Sequence, residues 1–234
     1  MEPRCNEFLR AARAALADGT LQRALAKLQR DFRADRETVR ERLPEFDRLR
    51  DAAVEIKDHA LSHLDFYLET FEERVQAQGG RVHWCRTADE ACAAVLGICC
   101  GANAATVVKG KSMISEEIAL NDHLEQSGIR TVETDLGEYI LQIRKDTPSH
   151  IVMPAIHLNT AQIGDSFRDG HKNLDPTRPL NDAGPLLEEA RALLRREFLG
   201  ADVGITGANM LVAETGAAVI VTNEGNGDLV QALP

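Results

Sequence analysis

The spacing of hydrophobic positions changes near residue 79 of the chain. Over residues 1–78 apolar side chains recur every three or four positions, which predicts amphipathic helices with interruptions at Gly19 and Pro44. Over residues 79–234 short apolar runs alternate with helical patterns, and this alternation is typical of βαβ units. We therefore predict an α/β fold, a mostly parallel sheet flanked by helices, with an N-terminal helical extension as a separate domain.

Five apolar runs in the α/β part predict strands, and the segments between them predict helices. The predicted strands are RVHWC, ATVVKG, IRTVE, HIVMP and ADVGIT, at residues 81–85, 105–110, 129–133, 150–154 and 201–206. The predicted helices are residues 88–100, 115–128, 135–145, 159–170 and 180–200. The sequence TADE, ending at Glu90, matches a capping box for the first helix, and Gly128 is expected to end the second. Residues 171–185 are rich in Pro, Asn and Asp and predict an exposed loop.

The last apolar stretch departs from this alternation. Between residues 201 and 222 there is no room for a helix, so three short strands joined by tight turns are predicted. Thr215 and Gly216 are expected to turn the chain, because glycine adopts a positive φ at low cost. Glu214 ends an apolar strand, and we expect it either to bond the backbone of the turn or to face a pocket. The loop that follows offers further side chains to a ligand: Asn223, Glu224, Gly225 and Asn226.

Composition narrows the class of protein. Apolar residues make up 44% and charged residues 27% of the chain, which is typical of a soluble globular protein. The 37 acidic residues outnumber the 27 basic ones, and the net charge of −10 argues against a nucleic-acid partner. The start of the chain has no secretory signal, and polar residues interrupt the most apolar segment, residues 91–108. We therefore expect a cytoplasmic protein without a membrane span.

The five cysteines predict neither disulfides nor a metal site. Their number is odd, and disulfides are rare in the cytosol. Cys92 and Cys99 would share one helix face, but two helical turns separate them, which is too far for both to bind one ion. No CxxC pair occurs, and the cysteines are interpreted as small buried apolar side chains.

One candidate site begins where the predicted strand 105–110 ends. Lys109 and Lys111 are followed by Ser112, Ser115 and Glu116, just where a helix is predicted to start. Unpaired backbone N–H groups at a helix start, together with two lysines, are features of an anion site. The alternative is that the serines cap the helix and the lysines are surface charges.

Acidic residues and histidines provide two further candidates. Asp135 and Glu138 resemble a capping box before an apolar helix, and with Glu133 they are also candidates for acid or base groups. His150 and His157 lie on either side of a predicted strand, and the ends of parallel strands collect ligand sites. Each histidine equally fits a structural role with hydrogen bonds inside the protein.

Five long segments occur in a fixed order along most of the chain. They are KGKSMISEEIALNDHLEQSGI, VETDLGEYILQI, PSHIVMPAIHLN, FLGADVGITGAN and AETGAAVIVTNEGN. In this order they resemble the lactate-utilization protein B family, as does the helical segment HLDFYLETFEERVQAQGG at residues 63–80. The resemblance implies an α/β lactate-utilization domain similar to the superfamily of CoA transferases and sugar-phosphate isomerases. The GANM segment departs from the family, where relatives often carry cysteine and an aromatic residue.

The resemblance also implies a function for the whole protein. The family consists of iron–sulfur subunits of an L-lactate oxidation system of the L-lactate dehydrogenase type. Two [4Fe–4S] clusters are then expected in the full-length protein, bound by CxxCxxC motifs that these 234 residues lack. We therefore expect an N-terminal fragment with no cofactor of its own and no activity alone. Its expected partners are the other subunits of the lactate-utilization system.

Two functions for this domain remain open at this point. In the first it is a scaffold, a docking surface or a ligand-binding domain of the electron-transfer subunit. In the second it is a small-molecule enzyme or binding domain of the same superfold that acts on an anionic substrate, with Glu214 as the catalytic carboxylate. The lysines would be the anion clamp, and we expect them to share one cleft with Glu214. The candidate ligand-binding residues are Lys109, Lys111, Ser112, Ser115, Glu116, Asp135, His157, Glu214, Thr215, Gly216, Asn223, Glu224, Gly225 and Asn226.

Overall fold

The computed structural model describes residues 7–151 and 153–234. These residues form two compact units, and each unit combines segments that are far apart in the sequence. Within the described residues, the first unit contains 7–22, 85–207 and 221–234, and the second contains 23–84 and 208–220. The predicted domain boundary between residues 78 and 79 stays a prediction.

Helices dominate the part of the chain before residue 79. They are α1 (Phe8–Ala17), α2 (Gly19–Glu41), α3 (Phe46–Ser62) and α4 (Leu64–Ala77). The two predicted interruptions are confirmed. At the first, Asp18 Oδ1 accepts hydrogen bonds from the N–H groups of Thr20 and Leu21 and so caps α2. At the second, Pro44 lies between α2 and α3. A third interruption, at His63, was not predicted.

The first unit is built on a three-stranded parallel sheet. Its strands are β1 (Thr106–Lys109), β2 (Arg130–Glu133) and β3 (Val203–Ile205), and their order in space is β2-β1-β3. All three strands were predicted from the sequence. Because β1 is central, its neighbours cover both of its edges, and Val107 and Val108 are fully buried. The predicted α/β class with a parallel sheet is thus confirmed.

Helices of the first unit flank this sheet. They are α5 (Ala88–Gly101), α6 (Met113–Glu117), α7 (Leu120–Gln126), α8 (Leu136–Arg144), α9 (Thr160–Gly170), α10 (Ala183–Gly200) and, beyond the hairpin described below, α11 (Asn226–Ala232). Thr87 caps α5 by accepting from the Glu90 N–H, as the TADE motif predicted. Asn159 and Gln162 form a complete capping box at the start of α9. Among the helices of the described residues, none is both long and apolar enough to cross a membrane.

The core has two parts, one on each face of the sheet. Successive strand residues point to opposite faces, so Val107 packs with α5 and α7, whereas Val108 packs with α8, α9, α10 and α11. Burial of each valine contributes roughly 1.5–3 kcal/mol. Cys92 and Cys99 lie in the first of these clusters, as small buried side chains. Cys85 and Cys100 are exposed, against the prediction, and Cys5 lies outside the described residues.

The second unit contains an antiparallel hairpin. Its strands are β4 (Met210–Val212) and β5 (Ala217–Val219). The Gly216 N–H donates to Val212 O at 2.8 Å, and Gly216 has a φ of 74°, so Thr215 and Gly216 form the predicted turn. A side chain at Gly216 would place Cβ 2.7 Å from the Val75 backbone N, so the close approach of α4 also requires glycine. The three last strands do not form one sheet, because β3 belongs to the parallel sheet.

Two predicted strands are absent from the described residues. Residues 81–85 are irregular, and the Trp84 indole donates to Glu72 Oε2 at 2.8 Å, which holds this segment against α4. Around the second, residues 150 and 151 lie in a bend, residue 153 is irregular, residue 154 lies in a turn, and Val152 lies outside the described residues. A local hydrogen bond from the Met153 N–H to His150 Nδ1 replaces strand pairing there.

Two other predictions need correction. The helix predicted over 115–128 is divided into α6 and α7 at Ala119, which has a φ of 52°. The predicted loop 171–185 is not simply exposed, because His171 and Leu180 are buried in the core beneath it. Neither the division at Ala119 nor the burial of His171 and Leu180 has a local sequence signal. The helix α11 was not predicted at all.

Candidate functional site

An ion pair lies at the carboxyl ends of β1 and β2. Lys109 ends β1, and Glu133, which ends β2, is its partner in the parallel register. The Lys109 Nζ atom is 2.8 Å from Glu133 Oε1, and both side chains are almost fully buried. Charges removed from water are costly unless they are paired and hydrogen-bonded, so this pair needs further polar partners.

Those partners come from α6 and α7. Lys109 Nζ donates to Ser115 Oγ at 3.0 Å, and Asn121 Nδ2 donates to Glu133 Oε1 at 2.6 Å. Ser115 Oγ in turn donates to the Ser112 carbonyl oxygen at 2.7 Å. Ser112 also caps α6, since its Oγ accepts from the Ser115 N–H. The helix start that the sequence predicted is therefore part of the polar network around the buried pair.

A second ion pair lies beside the first. Lys111 Nζ is 3.4 Å from Glu138 Oε1, and the glutamate is buried while the lysine is partly exposed. Asp135 positions this glutamate by capping α8, because its Oδ1 accepts from the N–H groups of Gly137 and Glu138 at 3.0 and 3.3 Å. The predicted capping role of Asp135 is confirmed.

Burial and neighbouring charges shift the pKa values of the glutamates. Burial raises the pKa of Glu138, the Glu116 carboxyl raises it further, and Lys111 opposes both. Burial also raises the pKa of Glu133, against the attraction of Lys109. The cluster therefore holds protons at a higher pH than exposed glutamates do.

Two buried oxygen atoms of the cluster have no hydrogen-bond donor among the described residues: Oε2 of Glu133 and Oδ1 of Asn121. Glu138 Oε1 is also buried, but Lys111 Nζ lies 3.4 Å from it as its ion-pair partner. A buried acceptor left without a donor costs about 1–3 kcal/mol, so native sites usually supply one. Carboxylate and amide oxygens accept hydrogen bonds from hydroxyl groups. A hydroxyl group, whether of a ligand or of an ordered water molecule, is therefore a suitable partner for these oxygens.

Two residues of the predicted NEGN loop reach the same cluster. Burial raises the pKa of Glu224, and the Asp135 charge raises it further, whereas Lys111 lowers it. Asn226 Nδ2 donates to Thr134 Oγ1 at 3.4 Å, directly after the end of β2. The fold thus brings residues 92 positions apart, Thr134 and Asn226, to the carboxyl ends of β1 and β2. We call this group of residues the strand-end cluster: Lys109, Lys111, Ser115, Glu116, Asn121, Glu133, Thr134, Asp135, Glu138, Glu224 and Asn226.

His157, another predicted residue, has its own hydrogen-bond partners. His157 bonds Ser149 Oγ through Nδ1 at 2.8 Å and Asp146 Oδ2 through Nε2 at 3.1 Å, which matches the structural alternative. Residues 214–216 belong to the hairpin of the second unit. The expected shared cleft for Glu214 and the lysines stays a prediction.

The other two residues of the NEGN loop, Asn223 and Gly225, contribute no side-chain hydrogen bond to the cluster among the contacts of the described residues. Asn223 is exposed, and Gly225 precedes α11 with a φ of 78°. Asn121 and Thr134 were missed as candidates. Asn121 is an amide within a predicted helix and carried no stronger signal, and Thr134 was hidden between a strand end and a helix cap.

The cysteines of the described residues do not fit an iron–sulfur cluster. No group of three or more His, Cys, Asp or Glu side chains among those residues is placed to hold a metal ion. Burial raises the pKa of the Cys92 and Cys99 thiols, and a cluster ligand must be a thiolate.

The pKa of Glu138 leads to a prediction about stability. A folded-state pKa above the unfolded value means that the folded protein binds more protons, so stability falls as pH rises through this interval. Glu138→Gln removes that titration from a position that faces Lys111, Glu116 and Glu133. The opening free energy of β2, measured by native-state hydrogen exchange at the Val132 amide from about pH 5 to about pH 8, should fall less steeply in the variant than in the unaltered protein.

Glu117→Gln provides the matched control for this experiment. Glu117 is exposed on α6, one residue from Glu116, and its substitution should leave the pH dependence unchanged. Equal slopes for the unaltered protein and Glu138→Gln would contradict the assignment.

The parallel sheet and its strand-end cluster define an α/β domain with a polar site at the carboxyl ends of its strands, the usual place for ligands in open α/β sheets. Comparison with known families gives this class a name. The model of the LUD domain family matches residues 68–234, and the chain belongs to this family.

Curated relatives extend the similarity beyond that match. The chain is 44% identical over 230 residues to lactate utilization protein B of Bacillus velezensis, which covers 98% of this chain and 45% of the relative. It is 43% identical over 230 residues to lactate utilization protein B of Bacillus subtilis (strain 168), with 98% and 45% covered. It is also 41% identical over 233 residues to a protein named "Uncharacterized electron transport protein YkgF" of Escherichia coli (strain K12), with 97% and 47% covered. The family resemblance predicted from the sequence is confirmed.

The chain spans about half the length of the curated relatives that it matches. No solved structure matches it significantly.

Proposed function

We propose that this chain is the LUD domain of an iron–sulfur electron-transfer protein that takes part in the oxidation of L-lactate to pyruvate. Its own role is to bind a small ligand at the strand-end cluster. The names of the relatives support the first part, since one group is named for lactate utilization and another relative for electron transport. The geometry of the cluster supports the second part.

The observation that carries the ligand-binding role is the set of unpartnered buried oxygens beside a partly exposed lysine. Glu133 Oε2 and Asn121 Oδ1 are buried acceptors without a hydrogen-bond donor among the described residues. A purely structural network favours complete pairing, because each unpaired acceptor is costly. A ligand that supplies donors removes this cost on binding.

The charges of the cluster indicate what kind of ligand it takes. A 2-hydroxy acid such as lactate offers a hydroxyl donor and a carboxylate. The hydroxyl would donate to Glu133 Oε2, and the carboxylate would lie at Lys111. Lys111 is partly exposed beside Glu138, so its ammonium group can also reach a ligand carboxylate.

The two [4Fe–4S] clusters of the proposed full-length protein would be bound by residues outside these 234. The poor fit of the four described cysteines to cluster ligation supports that arrangement. The domain would then present a ligand, or hold the complex together with the other subunits of the lactate-utilization system. No step of electron transfer is assigned to residues of this chain.

A chimera tests this proposal. The matched segment of this chain would replace the corresponding segment of lactate utilization protein B in Bacillus subtilis (strain 168), to which it is 43% identical over 230 residues. We expect the chimera to support growth on L-lactate as sole carbon source. The variant Lys111→Met within the chimera should abolish that growth, because the ligand carboxylate loses its cationic partner.

Lys145→Met serves as the matched control for this substitution. Lys145 is an exposed lysine just after α8, and its replacement should leave growth unchanged. Immunoblots must show equal amounts of each chimera. A chimera that accumulates but never supports growth would refute membership in the lactate system, whereas growth that Lys111→Met leaves intact would refute the ligand site and favour a scaffold role.

A further inference from the structure

A cleft of about 710 Å³ opens beside the start of β2, away from the strand-end cluster. Its walls are the first residues of β2, one face of α8, one face of α10 and the loop that follows α9. The volume lies within the range of about 300–1,000 Å³ that small-ligand sites occupy. All of these walls belong to the first unit.

The cleft exists because β2 is an edge strand of the sheet. Its outward backbone groups are bonded by a side chain: Gln142 Nε2 donates to Thr131 O at 2.9 Å, and Gln142 Oε1 accepts from the Glu133 N–H at 3.0 Å. An unpaired edge would invite another strand. Since the Gln142 side chain already bonds these backbone groups of β2, the cleft beyond them is available to a ligand and not to another strand.

A chain of buried polar side chains lines the cleft. The Tyr139 hydroxyl is 3.0 Å from His171 Nε2, and His171 Nδ1 is 3.0 Å from Glu189 Oε1. Arg178 donates to the other oxygen of Glu189 at 2.6 Å. Phe167 stacks on the imidazole, with ring centroids 4.5 Å apart. Tyr139, His171 and Glu189 are thus linked by consecutive hydrogen bonds, which hold the three side chains in place.

The charge of the cleft differs from that of the protein. Four basic and three acidic side chains line it, in a chain with a net charge of −10. The acidic groups are engaged by the protein itself: Glu197 pairs with Arg130, Glu189 bonds Arg178, and Asp175 accepts from Thr177. For the two remaining basic residues, Lys172 and Arg196, no ion pair occurs within the described residues. Both are exposed, so both are available to a ligand.

We propose that this cleft binds a small organic anion with a carboxylate or phosphoryl group, which Lys172 and Arg196 hold, while its other polar atoms face the Tyr139–His171 pair. The proposal goes beyond the function proposed above, because it concerns the start of β2 and not its end. Arginine and lysine are the usual protein partners of carboxylates and phosphates. The buried chain of hydrogen bonds supplies a rigid polar wall for the rest of the ligand.

A charge-matched pair of double variants tests the proposal. Lys172→Gln with Arg196→Gln removes the two cleft cations. Arg168→Gln with Arg195→Gln removes two exposed cations from α9 and α10 that do not line the cleft, so both proteins have the same net charge. The probes are inorganic phosphate and malonate, titrated into the 234-residue chain by calorimetry.

We expect at least one probe to bind the unaltered chain at concentrations up to about 10 mM, a range in which weak ligands stabilise proteins measurably. The cleft variant should weaken its Kd by at least about tenfold, since two charge-assisted contacts are lost. The control variant should keep the Kd of the unaltered chain. Comparison of the two probes tells a phosphoryl from a carboxylate preference. Absence of binding by both probes, or equal weakening in both variants, would overturn the proposal.

A second measurement reports on the cleft directly. The imidazole ¹⁵N signals of His171, assigned with His171→Gln, should shift when the bound probe is added to the unaltered chain or the control variant. They should not shift in the cleft variant at the same concentration. Binding without any change in these signals would place the anion elsewhere and refute the site.

Discussion

Replacement of Lys109 by methionine is expected to destabilise the sheet of the first unit by about 3–5 kcal/mol. The substitution preserves most of the side-chain volume but leaves the Glu133 carboxylate buried without its cation. Asn121 Nδ2 would remain as its donor, and one hydrogen bond does not replace an ion pair at 2.8 Å. Because burial already raises the pKa of Glu133, the loss should increase with pH, as the unpaired group must be protonated to stay buried.

The measurement must report on the sheet itself. The chain has two compact units, so a global unfolding curve need not be two-state. Native-state hydrogen exchange at the amides of Val107 and Val108 measures the opening free energy of β1 directly.

Two further variants decide whether the pairing is the cause. Lys109→Met combined with Glu133→Gln should recover more than half of the loss, because the buried charge is gone and an amide oxygen still accepts from Asn121. Arg130→Met breaks the largely exposed pair with Glu197 and should cost less than about 1 kcal/mol. A cost for Lys109→Met as small as that of Arg130→Met would show that the buried pair contributes little.

The strand-end cluster shows which features of the candidate site can be predicted from the sequence. The end of β1, the helix start at Ser112 and the cap at Asp135 each have a local pattern, so they were predicted and confirmed. The partner of Lys109 depends on the register between β1 and β2, which the sequence does not specify locally. The sequence alone therefore allows Lys109 to be either an anion-binding residue or a surface charge, whereas a carboxylate 24 positions later lies beside it.

The hydrogen-bonded side chains around His171 could not be predicted from the sequence. The sequence predicts an exposed loop that begins at His171, because residues 171–185 are rich in Pro, Asn and Asp. Its hydrogen-bond partners, Tyr139 and Glu189, are 32 and 18 positions away. The division of the predicted helix at Ala119 has the same origin, since packing overrides helix propensity there. Contacts across such distances arise from tertiary packing, for which one sequence carries no pattern.

The substitution Gly204→Ala should have the second largest effect on the first unit, about 3 kcal/mol, measured by hydrogen exchange at the amides of β3. A Cβ atom at this position would lie 2.0 Å from the carbonyl oxygen of Val230 in α11, a distance at which backbone must move. Since α11 begins at Asn226, which bonds Thr134 beside the buried ion pair, a shift of the helix also disturbs the strand-end cluster. The chimera that carries Gly204→Ala should therefore lose growth on L-lactate.

Gly200→Ala separates this steric effect from the general effect of replacing glycine. Gly200 is the last residue of α10, and a Cβ there would meet no atom within 4 Å. Alanine restricts the unfolded chain and favours helix, so this control should be neutral or more stable by about 0.4–1 kcal/mol. If both substitutions leave β3 protected and growth intact, α11 does not need its close approach to the sheet. If only Gly204→Ala loses the protection of β3 and growth on L-lactate, the contact between β3 and α11 positions the loop that completes the strand-end cluster.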